Sequence, residues 1–286
     1  ILHGSSGDIA SRIKELASVT ALEPVNLGII GRPSDWLIAS AVDKEKCKRI
    51  LNINLIDIDM QELIDGFNEA SAADFNSNSK LEYDPRELKA SKKVALSLDM
   101  LIEKYALKGL TIRCFDLLDT IHTTGCLGLA LLNKQGIPAA CEGDVPALLS
   151  LYLMYRITGQ TGFQANPSRI DIEKNELIFA HCTLPINMAD SYRLTTHFES
   201  GIGVAIKGEM KLTDITIFKL NHDLQHYYVE EGKIIENLNE ANLCRTQIRI
   251  GLPDVRYFLT SPYGNHHLIV YGSWKQKIKE YMDKLL

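Results

Sequence analysis

The chain has 286 residues, 45% of them hydrophobic and 23% charged, with a formal net charge of −5. That length allows about two domains, and the balance of apolar and charged residues excludes wholesale disorder. There is no basic excess of the kind a nucleic-acid binder shows, and the longest apolar stretch, Ala147 to Tyr155, is far too short to span a bilayer.

Near the start, His3-Gly4-Ser5-Ser6-Gly7-Asp8 reads as an ordinary cap ahead of a helix. Asn26 to Ile30 is an apolar run that ends at Gly31-Arg32-Pro33-Ser34, which predicts a strand, a loop and then a helix start. Leu55 to Asp59 is a second strand, Met60 to Ala70 a helix, and the polar stretch Ser71 to Asp84 a surface loop. Arg86 to Leu107 has helical periodicity, with Leu88, Val94, Leu96, Met100, Leu101 and Tyr105 near one face. A strand over Leu110 to Phe115, a helix over Thr124 to Leu132 and a strand over Ile137 to Cys141 follow. Val145 to Ile157 closes the series as a buried helix, with Asp144 as N-cap and Pro146 in its first turn. This alternation predicts a three-layer αβα domain over residues 1–158 with a mostly parallel sheet.

From Gly159 the pattern changes to short strands separated by charged turns such as Glu173-Lys174-Asn175. The candidates are Ser168 to Ile172, Leu177 to Cys182, Arg193 to His197, Ile202 to Lys207, Ile215 to Lys219, Ile234 to Asn237, Thr246 to Ile250 and Leu268 to Tyr271. Residues 159–286 therefore read as a β-rich, barrel-like domain, closed by an amphipathic helix over Ser273 to Leu286. The six cysteines form no CxxC pair and sit mostly among apolar residues, as reduced thiols of a cytoplasmic protein do.

Three places set polar residues among apolar ones. Cys141-Glu142-Gly143-Asp144 lies at the carboxyl end of a predicted strand, where open α/β sheets bind ligands. His181 ends another strand, and Asn265-His266-His267 opens the last one. One glutamate and two histidines can hold a divalent ion such as Mn²⁺, Fe²⁺ or Zn²⁺. From spacing alone, His181 serves equally as a satisfied histidine inside a sheet and Glu142 as a helix-start carboxylate. Arg113 and Arg245 read as partners of buried acids, and His222 and His226 as surface residues around a turn.

The Glu142-Gly143-Asp144 motif, its following apolar helix, Thr158-Gly159-Gln160, Phe163-Gln164-Ala165-Asn166, His181-Cys182-Thr183-Leu184-Pro185 and Asn265-His266-His267 together resemble the L-fucose isomerase and L-arabinose isomerase superfamily. The resemblance runs from about residue 24 to the C-terminus, and Gly31-Arg32 fits the start of that family's middle domain. It implies that Glu142 is a metal ligand and proton-transfer residue, and that His181 and His266 are further ligands. It also implies Mn²⁺ as cofactor, an open-chain sugar as substrate, and a homo-oligomer, trimer or hexamer, whose subunits complete each other's pockets. Family members carry a further N-terminal domain, of which the first residues here would be a remnant.

One departure is informative. The family's second acid, 24 positions after Glu142, is Asn166. An amide oxygen still coordinates a metal, but it brings no charge and cannot act as a base. Asp144 and Glu199 are the carboxylates nearest in the reading to compensate. The expected activity is a metal-dependent aldose–ketose isomerase with Glu142 and Asn166 as catalytic residues, and Glu142, Asn166, His181 and His266 as metal ligands. Arg32, Trp36, Glu199 and Asn265 are the candidates for contacting the sugar. The competing expectations are a sugar- or metabolite-binding relative that has lost isomerisation with the second acid, and a related metal-assisted epimerase.

Overall fold

A computed structural model describes residues 23–72 and 83–286, together with Gly7. The cap expected over His3–Asp8 and most of the Ser71–Asp84 loop lie outside the described residues. The first half is a four-stranded sheet in the order β2-β1-β3-β4, built from β1 (Val25–Ile30), β2 (Ile53–Ile58), β3 (Leu107–Ile112) and β4 (Ala139–Ala140). Every pairing in it is parallel. The helices between the strands are α1 (Lys44–Leu51), α2 (Met60–Glu69), α3 (Pro85–Tyr105), α4 (Asp116–Thr120) and α5 (Cys126–Lys134), with α6 (Val145–Thr158) following β4. Asp43, Asp59, Asp84 and Asp144 cap α1, α2, α3 and α6, each accepting a backbone N–H in the first turn.

Side chains of α2, α3 and α5 (Leu63, Leu98 and Leu129 among them) pack with Ile30, Leu110 and Ile112 on one face of the sheet. On the other face Leu27 and Ile29 meet Cys47 and Leu51 of α1 and the whole length of α6. Helix α6 is buried on nearly all sides because it is wedged between the sheet and the second half of the chain, where it meets Phe218, Leu220, Leu268 and Val270.

That second half is a closed antiparallel barrel in the order β10-β11-β6-β5-β12-β9. Its strands are β5 (Phe163–Asp171), β6 (Glu176–His181), β9 (Asp214–Leu220), β10 (Tyr227–Asn237), β11 (Thr246–Gly251) and β12 (His267–Tyr271). Alternate residues of β9 divide between two cores. Ile215 and Ile217 join Phe163, Phe179, Ile248 and Ile269, while Phe218 and Leu220 join α6. A short helix, α7 (Tyr257–Thr260), precedes β12, and the terminal α8 (Lys275–Leu285) buries Ile278 and Met282 in the core around α6. No described helix is long and apolar enough to cross a membrane.

Several expectations change. No helix starts after Ser34. Residues 31–43 form a loop, and α1 begins at Lys44, where Asp43 supplies the cap. The strand read over Leu55 to Asp59 is Ile53–Ile58, because Asp59 is already the cap of α2. The strand read from Ser168 begins at Phe163, which places Gln164 and Asn166 within it. β7 (Ala189–Thr195) and β8 (Ala205–Met210) pair with each other as a separate ribbon rather than as barrel staves.

Candidate functional site

The loop after β4 is built around a backbone bend. Glu142 has φ +62° and Gly143 φ +61°. A Cβ on Gly143 would stand 2.7 Å from the Arg32 carbonyl oxygen, so only glycine fits against the 31–34 loop. Gly143 N–H donates to the Ile112 carbonyl at the end of β3 (2.8 Å), and Ser34 Oγ donates to the Glu142 carbonyl. From β5, Gln164 Oε1 accepts the Cys141 N–H at 2.8 Å and its Nε2 faces the Cys141 carbonyl at 3.4 Å. This two-point clamp ties the loop to the barrel.

The Glu142 side chain meets two histidines there. His181, the last residue of β6, brings Nε2 to 3.5 Å from Glu142 Oε1, and His266, just before β12, brings its Nε2 to 3.3 Å from the same oxygen. One ligand atom from each of the three lies within 4.8 Å of the others. Glu142 Oε2 accepts the Trp36 indole N–H at 3.2 Å.

Both histidines are held from behind. His181 Nδ1 is 2.9 Å from Thr183 Oγ1, and His266 Nδ1 is 2.9 Å from Asp144 Oδ2. Asp144 also caps α6 through Ala147 N–H (2.7 Å) and lies 3.4 Å from Lys219 Nζ, with both side chains of that pair fully buried. Burial by itself would raise the Glu142 carboxyl, but the charge of His266 and the hydrogen bonds of both imidazoles hold it far below the usual carboxylate range. Burial would lower His266, yet the Glu142 charge and the Asp144 hydrogen bond push it up to about 9. For His181, burial wins and the pKa falls.

Glu142 borders a cleft of about 480 Å³, with the two histidines buried behind it. Asn166, Glu199 and Asn265 line it with Glu142, and Trp36 and Phe115 form an aromatic side with ring centroids 5.3 Å apart. Asn265 Oδ1 accepts the Ile38 N–H at 2.9 Å, which ties the 31–43 loop to the mouth of the barrel. Of the residues read from sequence, Glu142, His181 and His266 converge, and Asn166, Trp36, Glu199 and Asn265 share the cleft with Glu142. Arg32 lies outside the lining, its side chain 70% exposed and paired with Asp35. Trp36 stands in the 31–43 loop, not in a helix. It lies over the Arg113 guanidinium at 4.4 Å within the loop.

Asp144 does not stand in for the second acid, since it is fully buried behind His266 and committed to Lys219 and the α6 cap. Arg113 pairs with Asp35 and Asp116. Arg245 binds the Thr196 carbonyl and hydroxyl rather than the expected acid among the described residues. His222 and His226 are exposed at a turn. Gln164, Thr183 and Lys219 are additions to the reading. Only Lys219 left a signal, as a lone charge in the apolar run Ile215 to Leu220.

One carboxylate oxygen and two imidazole nitrogens, each ring fixed through its other nitrogen, form a donor set suited to a divalent ion of the Mn²⁺, Fe²⁺ or Zn²⁺ kind. No family model matches the chain. The chain is similar to sulfoquinovose isomerases. It is 22% identical over 307 residues to the enzyme of Alkalicoccus urumqiensis, and 26% identical over 288 residues to that of Clostridium sp. (strain MSTE9). A third, from Priestia aryabhattai, is 22% identical over 299 residues. These alignments cover 92–95% of the chain but 64–66% of the relatives, so the chain spans just under two thirds of their length.

Proposed function

We propose that the chain carries the active site of a metal-dependent aldose–ketose isomerase acting on an open-chain sugar. The observation that carries this is the convergence of Glu142, His181 and His266 beside the cleft that Glu142 lines, and the likeness to sulfoquinovose isomerases supports it. Those three side chains would hold a divalent ion such as Mn²⁺, with the Asn166 amide oxygen as an uncharged fourth donor. When bound, the ion supplies electrophilic polarisation of the sugar's carbonyl and stabilises the negative charge that develops on its oxygens.

The chain's own groups do the rest. Glu142 Oε2, beside Trp36 in the lining, is the oxygen left to take the carbon-bound proton next to the carbonyl and return it to the neighbouring carbon. Trp36 and Phe115 cover an apolar face of the sugar, while Asn265 and Glu199 meet its hydroxyls. A homo-oligomer, trimer or hexamer, is the expected assembly.

The test is proton exchange in D₂O with Mn²⁺ and a panel of pentoses, hexoses, 6-deoxyhexoses and a sulfonated hexose, followed by NMR. Deuterium at C1 or C2 of one sugar is the expected result, lost in Glu142→Gln. The absence of a carboxylate at Asn166 favours one other reading, a sugar-binding relative without turnover. That reading predicts binding with no exchange, and exchange gained in Asn166→Asp.

A further inference from the structure

An aldose–ketose isomerisation moves two protons, one between carbons and one between oxygens, and Asn166 can carry neither. Among the described residues lining the cleft, Glu142 and Glu199 are the ionisable ones; the others are Trp36, Leu37, Ile38, Phe115, Pro167, Phe258, Pro262, Gly264 and the two asparagines. Glu142 Oε1 faces the two imidazoles, and its Oε2, beside the Trp36 indole, already serves the carbon-bound proton, so the hydroxyl proton needs another group. Glu199 makes no hydrogen bond or ion pair among the described residues.

The turn that presents Glu199 is held at both ends. Gly201 N–H donates to the His197 carbonyl at 3.0 Å, His197 N–H donates to Ile202, and His197 Nδ1 lies 3.0 Å from Ser200 Oγ. Beyond the turn, Gly203 N–H donates to Glu87 Oε2 at 2.7 Å, and before it Arg245 holds the Thr196 carbonyl at 2.8 Å. The buried His197 ring also packs edge-on against Phe115 of the cleft wall. A braced turn thus carries an exposed carboxylate, without a hydrogen bond or ion pair among the described residues, in the wall of the cleft that Glu142 borders.

We infer that Glu199 is the second acid–base group of this site, relaying the hydroxyl proton from O2 to O1 of the sugar while Glu142 moves the carbon-bound proton. The inference rests on the isomerase reading above. The transfers balance without a co-reactant. The C2–H bond breaks, its proton goes to Glu142 and its electron pair forms the C1–C2 double bond. Glu199 takes the O2 proton and gives it to O1, and Glu142 returns its proton to C1 as the C2 carbonyl forms. Partial desolvation at the cleft wall, and after it the charge of Glu142, raise the Glu199 pKa, in the direction a general acid–base needs.

The experiment uses the full chain loaded with Mn²⁺ and the sugar on which it shows exchange. Glu199→Gln should lower kcat at least about 100-fold with little change in KM, and bound Mn²⁺ should stay at the wild-type level. The rise of kcat/KM from acid pH should vanish in Glu199→Gln and persist in Glu199→Asp. Formate should restore turnover to Glu199→Ala. Turnover within threefold of wild type in Glu199→Gln overturns the inference, as does a loss of turnover that follows a loss of bound Mn²⁺. A wild-type chain that exchanges protons on no sugar removes the isomerase reading and this inference with it. Wild-type turnover beside an unimpaired Glu199→Gln removes this inference alone.

Discussion

His266 Nδ1 sits 2.9 Å from Asp144 Oδ2, and both side chains are wholly buried. This contact joins residues 122 positions apart and couples the His266 ring to the first turn of α6. An imidazole whose Nδ1 is held by a carboxylate presents its Nε2 in one orientation, and loss of such a partner typically lowers metal affinity by about 10- to 100-fold. Asp144→Asn should therefore weaken Mn²⁺ binding by that factor while keeping a polar cap on α6. Calorimetric titration of Mn²⁺ into wild type and variant measures it. Equal affinities would show that Asp144 serves the helix alone.

Lys219 provides a separate stability test. Its ammonium is fully buried, with Asp144 as its carboxylate partner at 3.4 Å. Removing one member of a buried pair leaves the other uncompensated and costs about 3–5 kcal/mol. Lys219→Met should destabilise the fold by that order in urea titration, and Lys219→Met with Asp144→Asn by less than the sum of the two single changes. Strict additivity would mean that the two groups do not act as a pair.

Metal removal should register in stability as well as in turnover. A ligand that binds only the folded chain adds about 2.7 kcal/mol at a concentration of 100 Kd. Mn²⁺ should raise the Tm of the chelator-stripped chain, and EDTA should reverse the rise. In His181→Ala and His266→Ala the rise should be much reduced. A Tm indifferent to every divalent ion of the Mn²⁺, Fe²⁺ and Zn²⁺ set would leave the three converging side chains as a structural cluster.

The turn bearing Glu199 has its own pH signature through His197. Burial first, and the nearby His181 second, lower the His197 pKa to about 4. In the unfolded chain the same ring titrates near 6.5. As pH falls between those values the unfolded chain gains a proton that the folded chain does not, so stability drops by about 1.4 kcal/mol per pH unit and levels below the folded pKa. Unfolding at pH 6.5 and 5 should show a shallower loss in His197→Gln than in wild type. An identical loss would mean that His197 titrates normally in the folded chain.

How much of this was legible depended on distance along the chain. The Glu142-Gly143-Asp144 loop, the Asp144 cap and the strand ends bearing His181 and His266 follow from local patterning, because a strand, a tight turn and a helix start each leave short-range signals. The fold class was readable for the same reason. The Gln164 clamp on Cys141, the Asp144–His266 contact and the Lys219 pair join segments 23 to 122 residues apart, and nothing local in any partner announces them. The 31–43 loop was misread because Pro33 and Ser34 resemble a helix start. Its backbone is satisfied instead by distant groups, as at Ile38 with Asn265 and at Ser40 with Val145.

Two glycines with the same backbone sign separate strain from fit. Gly159 ends α6 at φ +73° with open space where a Cβ would go, so Gly159→Ala meets only the left-handed penalty of about 1–2 kcal/mol. Gly143 has φ +61° and would place its Cβ 2.7 Å from a backbone oxygen that cannot swing away, because Ser34 is held to the Glu142 carbonyl. Gly143→Ala should therefore cost more than Gly159→Ala in urea titration, and it should also displace Glu142 and weaken Mn²⁺ binding, which Gly159→Ala should leave intact. If both variants lost only the same stability and both kept full metal affinity, the close contact of Gly143 with Arg32 would not be what sets the position of Glu142.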